Sequence, residues 1–301
     1  MCSHLNEPQG YSSAAYLTAL GQTPFPLGET GGFVTRRAIG ATRQTDLSGA
    51  WPIFTCQNWS ILAKGIAAIA PGPASLTLVS DPFAPLSQTE LAAIFPVCRP
   101  LHDHWIVNLS APSRLSKHHR RALRNATDAQ ITAGPASPDL AEGWAAVYAH
   151  LVAKKQIRDS RAFSASALAA QLAVPGGHVV SAWDRETLLG VDLYYLDRGR
   201  AFAHLSAYSP QGYAVSVSYP MMAAAIDYFA PLAEAIDLGG APGGSAGPGI
   251  AQFKAGWTPL TRPTYLCGKV LDRKAYDRLA PDAESKGWFP AYRAGEFLTG
   301  S

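Results

Sequence analysis

The chain has 301 residues, 48% hydrophobic and 16% charged, with a formal net charge of +3. Such a chain buries two compact domains or one large one, and its balanced charge gives no reason to expect a DNA partner. It contains no uncharged apolar run long enough to span a bilayer, and Met1–Gly10 lacks the basic head and apolar segment of a signal peptide, so the expectation is a soluble cytoplasmic protein.

In chain order, apolar periodicity and turn residues predict a helix over 12–20, strands over 33–39 and 51–55, a helix over 59–69 and a strand over 75–79. A capping box, Ser87-Gln88-Thr89-Glu90, then starts a helix. A strand over 104–109, a short basic helix and a strand over 129–133 complete the first half, and Gly134-Pro135-Ala136-Ser137-Pro138 reads as a linker. The second half opens with helices over 140–154 and 165–172, the latter capped by Ser164. Strands over 178–183, 188–196 and 201–208, separated by polar turns, predict an antiparallel meander. A loop at Ser209–Gly212, a long helix over 214–229, a strand ending at Leu238, a strand over 264–270 and a helix over 273–279 follow. The organisation expected is α+β, with mixed sheets flanked by helices in a first lobe over 1–138, a second over 139–272 and a tail over 273–301. Trp51, Trp59, Trp105 and Trp144 each lie in a patterned element and are expected in the core.

Three places carry chemistry. Residues 239–249 hold six glycines and two prolines, a composition that lets backbone approach a ligand closely, and Gly239 and Gly240 open this loop. Directly behind it, Phe253-Lys254 sets a cation beside an aromatic ring, with Trp257 next; a snorkelling surface lysine is the competing reading. The segment Lys117-His118-His119-Arg120-Arg121-Ala122-Leu123-Arg124, with Ser113 and Ser116 as candidate caps, presents a dense cationic face. Lys117, Arg120, Arg121 and Arg124 suit phosphate, although a solvated basic helix would look the same. The third place is the meander, where Asp192 lies among apolar residues and is costly unless paired or functional. His204, Ser206 and Tyr208 alternate on the next strand, so all three are expected on one face. Gln211 sits at the strand-to-helix turn, and Arg158 and Arg161 form a further candidate clamp for a carboxylate or phosphate. Cys2, Cys56, Cys98 and Cys267 are too scattered for a disulfide framework or a zinc site, so reduced thiols and no metal are expected. Neither G-x-S-x-G nor a Walker loop occurs, which disfavours hydrolase and ATPase readings.

The element order, together with S-x-H-H-R-R-A-L-R-N-A, Y-S-P-Q-G-Y, D-L-G-G and G-I-A-Q-F-K-A-G-W, resembles the FemABX-like branch of the GNAT acyltransferase superfamily over about 109–270. The first half resembles the degenerate first lobe of those proteins in pattern only. The resemblance implies amide formation by transfer of an activated acyl group to an amine. In the peptidoglycan-bridge enzymes the donor is aminoacyl-tRNA and the lysine of the F-K motif is placed at the reacting carbonyl; the matching residue is Lys254.

The pyrophosphate loop of CoA-dependent relatives is out of register at Gln211-Gly212-Tyr213-Ala214, and no coiled-coil arm interrupts the chain. The expectation is therefore an N-acyltransferase without a permanently bound cofactor, taking an aminoacyl group from tRNA to an amine on a small-molecule or cell-wall-type acceptor. Lys254, Asp192, His204 and Tyr208 are its candidate catalytic residues. An acyl-CoA-dependent N-acyltransferase and a non-catalytic protein that binds a phosphorylated ligand are the alternatives.

Overall fold

The computed structural model describes residues 7–111, 115–126, 129–155, 162–241, 247–281 and 288–294. Its elements, in chain order, are α1 (Ala14–Ala19), β1 (Pro24–Pro26), β2 (Phe33–Ala38), β3 (Thr45–Gly49), α2 (Leu62–Ala67), β4 (Pro73–Val79), α3 (Gln88–Ile94) and β5 (Val97–Asn108). They continue with α4 (Lys117–Arg124), β6 (Gln130–Pro135), α5 (Ala141–Lys155), α6 (Ala165–Leu172), β7 (Gly177–Asp184), β8 (Thr187–Asp197) and β9 (Arg200–Tyr208). The last are α7 (Pro210–Ala214), α8 (Ser218–Phe229), β10 (Ala235–Asp237), α9 (Gly247–Ala255), β11 (Thr261–Val270) and α10 (Arg273–Leu279). The chain forms two compact units, residues 1–10 with 103–262 and residues 11–102 with 263–301, whereas the sequence pattern divides it at 138. Residues 103–138 go with the meander because β5 pairs antiparallel with β10 and β6 pairs antiparallel with β7.

In the unit of residues 11–102 and 263–301, β1, β2 and β3 pair antiparallel in turn, β3 runs parallel to β4, and β4 pairs antiparallel with β11. Leu27, Val34, Leu47, Phe54, Trp59 and Leu76 lie in its core. The expected strand over 51–55 is reduced to a single bridge between Phe54 and Ser80, and Trp51, expected in the core, is exposed. Two strands, β1 and β3, escape the sequence pattern because Pro-Phe-Pro and Thr-Asp-Leu-Ser-Gly carry no apolar alternation. The capping box is present in full, with Ser87 and Glu90 each bonding the other's backbone N–H.

In the other unit, β10 lies between β5 and β9, and β9, β8, β7 and β6 follow antiparallel. The residues expected to form a linker do not break the chain. Gly134 and Pro135 extend β6 against Val179 and His178. Proline is tolerated there because β6 is an edge strand whose other side needs no N–H donor. Residues of β8 from Leu188 to Tyr195 are all buried, which a strand covered on both faces requires. Consecutive side chains identify the covers: the Tyr195 hydroxyl donates to the Gln171 carbonyl of α6, whereas the Tyr194 hydroxyl reaches Met222 of α8. Met221, Met222, Ala225 and Phe229 form the buried stripe of α8. The long helix expected over 214–229 is broken after α7, since Ser216 adopts φ 54° and ends the helical path.

Candidate active site

Lys254 lies in α9, and so on a helix rather than on the glycine loop itself. Its ammonium donates to the Gly240 carbonyl at 2.6 Å, and a β-carbon on residue 239 would lie 3.4 Å from the same nitrogen. Gly239 has φ 76°, a left-handed conformation that glycine adopts without a side-chain clash, so the backbone, and not crowding by Lys254, calls for glycine here. Burial pulls the Lys254 pKa down to about 8, against the opposing charge of Asp237.

That aspartate, in the D-L-G-G segment, was not singled out from sequence. It is buried, accepts the Gly239 N–H at 2.7 Å and bonds Nδ1 of the buried His104 at 2.8 Å and 3.1 Å through its two oxygens. Nothing in the local sequence joins His104 to Asp237; the pairing of β5 with β10 does.

The basic helix α4 is capped by Ser116, as expected; Ser113 lies outside the described residues. Lys117, Arg120, Arg121 and Arg124 are all exposed, and Arg120 bonds the Leu115 carbonyl. His119 points inward and is 1% exposed. Its Nε2 bonds the Phe253 carbonyl at 2.8 Å and its Nδ1 bonds Ser116 Oγ at 2.9 Å. Its ring also packs edge-on against Trp257 and Tyr219, with centroids 5.0 Å away in each case. Burial lowers its pKa, which favours the neutral ring. Leu115, His119 and Leu123 recur every four residues, and that spacing would have flagged the inward histidine. His119 thus joins the cationic helix to α9. Trp257, expected beside a ligand, is enclosed in the core, while Phe253 is half-buried against it. An open groove of about 450 Å³ runs between α4 and the break after α7, lined by His118, Arg121, Asn125 and Ser216 among others.

Asp192 faces the α8 side of the sheet and is 1% exposed. It accepts the Tyr208 hydroxyl at 2.8 Å, and desolvation raises its pKa to about 6 despite the hydrogen bonds from Ser206 and Tyr208. Gly190, opposite Tyr208, is required, because a β-carbon there would meet the Tyr208 ring at 2.5 Å. His204 does not join this group. The register of β8 and β9 slips between Leu193 and Tyr194, which breaks the alternation expected over 204–208. His204 consequently bonds Gln171 Oε1 at 2.9 Å and packs on Tyr195, on the α6 side, where burial drives its pKa down to about 3. Gln211 is tied to Asp184 at 2.9 Å, while Arg158 and Arg161 lie outside the described residues.

The ladder between β9 and β10 ends at Phe202 and Asp237, although β9 continues to Tyr208 against β8. β10 itself ends at Asp237, and Ser206, further along β9, is exposed. Lys254, Asp237 and His104 gather just past the end of β10.

No protein-family model matches the sequence, and no curated protein matches it. Solved structures do. FemX superposes with a TM-score of 0.63 at 11% identity over 90% of this chain and 93% of that one. L-PGS from Bacillus licheniformis gives 0.60 at 15% identity, covering 88% and 89%. The C-terminal domain of a protein described as a putative lysylphosphatidylglycerol synthetase from Agrobacterium fabrum gives 0.58 at 15%, again over 88% and 89%. The chain therefore shares the fold of FemX and of these synthetase structures, the fold that its motifs led us to expect. Among the described residues no helix is long and apolar enough to cross a membrane.

Proposed function

We propose that this protein is an N-acyltransferase that takes an aminoacyl group from aminoacyl-tRNA to an amine, and that the reaction takes place beside Lys254. The observation that carries this reading is the docking of α4 on α9 through His119, which puts a row of exposed cations on the helix packed against the one that bears Lys254. Phosphates of a nucleic-acid backbone suit those cations through charge alone. Lys254, close to a backbone carbonyl and partly desolvated, would stabilise the negative charge that develops on the carbonyl oxygen under attack. Asp192 would act through Tyr208 and Ser206 of β9, which both hydrogen-bond to it, to orient the acceptor amine.

The state of α7 favours tRNA over CoA as donor. A pyrophosphate cradle needs free backbone amides at a helix start. Here Pro210 has no N–H, the Gly212 N–H is taken by Ser209 Oγ at 3.0 Å, and the Tyr213 N–H by the Ser209 carbonyl at 2.9 Å. Gly212 is also pressed so closely on the Leu189 carbonyl that a β-carbon would approach it to 2.2 Å. The deciding experiment compares thermal protection by charged tRNA and by acetyl-CoA, since a ligand that binds only the native state raises its apparent stability. A rise in the midpoint with charged tRNA and none with acetyl-CoA is the expected outcome. The opposite pattern assigns the protein to CoA-dependent transfer, and protection by inorganic pyrophosphate without turnover assigns it to ligand binding alone.

A further inference from the structure

We propose that His104, held by Asp237, is the proton acceptor for the attacking amine at the Lys254 site. This rests on the acyl-transfer reading above and adds to it the group that the chemistry still lacks.

An amine that attacks an ester must lose a proton as the amide forms, and a positioned base whose lone pair faces the reacting nitrogen accelerates that loss. Asp192 is a poor candidate for contact with substrate, because it is enclosed and its hydrogen bonds are made inward, to Tyr208 and Ser206. His104 is arranged differently. Both Asp237 oxygens lie within hydrogen-bonding distance of Nδ1, and a carboxylate can only accept, so the ring proton resides on Nδ1 and the lone pair on Nε2. Nε2 has no hydrogen-bond partner among the described residues, and the His104 side chain keeps 9% of its surface exposed. A carboxylate that fixes the tautomer and steadies the imidazolium is the arrangement by which histidine serves as a base in other acyl transfers.

The pair is also built into the same backbone segment as the lysine. Asp237 accepts the Gly239 N–H, the Trp105 N–H donates to the Gly239 carbonyl at 3.3 Å, and Gly240 receives Lys254. Four consecutive residues, 237–240, therefore position both the base and the cation. In the step itself the amine nitrogen bonds to the acyl carbon, its proton passes to His104 Nε2, and the carbonyl oxygen gains charge beside Lys254. Collapse breaks the carbon–oxygen bond to the ribose, and the imidazolium returns its proton to the departing ribose oxygen, so ester and amine become amide and alcohol with no other reactant.

The test measures single-turnover transfer from a pool of radiolabelled aminoacyl-tRNA to ethanolamine as the amine probe. His104→Gln is expected to lower the rate by about 10²- to 10⁴-fold. Asp237→Asn is expected to lower it as well while leaving a hydrogen-bond acceptor for Nδ1. If the glutamine variant does not fold, wild-type protein treated with diethylpyrocarbonate gives the answer: loss of transfer should track modification of His104, mapped by mass spectrometry, and not that of the exposed His118. Undiminished transfer in His104→Gln, or full activity with His104 modified, overturns the role assigned here. Absence of transfer by the untreated wild type overturns the acyl-transfer reading, and the role with it.

Discussion

The imidazole of His119 occupies the space that a side chain on residue 256 would need: a β-carbon there would lie 2.0–2.4 Å from three of its ring atoms. The glycine of the F-K-A-G-W segment is therefore a packing requirement of the basic helix, and it ties the two most chemically suggestive stretches of the chain to each other. Gly256→Ala should cost about 1–3 kcal/mol, the usual penalty for overfilling a packed site. Adding His119→Ala should restore part of that loss, so urea denaturation of the two single variants and the double is expected to be clearly non-additive. Additive losses would mean that the two residues do not compete for space.

Removal of the Lys254 charge should lower turnover by about a hundred- to a thousandfold in Lys254→Met, which keeps most of the apolar stem. The pH dependence is a sharper test. With a pKa drawn down to about 8, the ammonium is lost above that pH, so the wild-type rate should fall there. Stability runs the other way: a lysine whose folded pKa is depressed contributes a gain as pH rises from about 8 towards its ordinary 10.5. Lys254→Arg should move the falling limb of the rate to higher pH while restoring the rate only in part. A wild-type rate that stays flat to about pH 10, near the ordinary lysine pKa, would remove the lysine from the reaction.

Asp192→Asn tests the buried carboxyl on β8. Its pKa is raised from 3.8 to about 6, so its contribution to stability is fully present below about pH 4 and lost as pH climbs through 6. That shift corresponds to about 3 kcal/mol at neutral pH, which the neutral amide does not forfeit. The variant should thus be at least as stable as wild type by thermal melting at neutral pH, yet slower in transfer because Tyr208 and Ser206 lose a charged acceptor. A large drop in melting temperature with unchanged specific activity would make Asp192 a purely structural residue.

Binding of charged tRNA through the exposed face of α4 should weaken steeply with salt. Replacement of Arg120, Arg121 and Arg124 by glutamine should flatten the slope of log affinity against log salt by about 0.7–0.9 for each phosphate that is no longer neutralised. Filter binding across a salt series gives both slopes, and identical slopes would place the nucleic acid elsewhere on the protein.

Elements set by local forces are legible in the amino-acid sequence alone. The meander strands, α5, α6 and the buried stripe of α8 follow from periodicity, and Ser87, Ser116 and Ser164 cap their helices through bonds that reach no further than three residues. Lys254 stands out for the same reason, because its motif is contiguous. What required the tertiary structure was every feature made by pairing distant strands. The slip that sends His204 away from Tyr208 exists only in the register between β8 and β9, and composition carries no trace of it. The edge position that lets Gly134 and Pro135 serve as strand, where the sequence reads as a linker, depends on which strands lie beside β6. His104 and Asp237, 133 residues apart, become partners because β5 and β10 run side by side. A sequence specifies which residues favour helix, strand or turn, but the neighbours that turn a buried histidine into a base are chosen by chain crossing and register, and these are decided only when the sheet closes around its core.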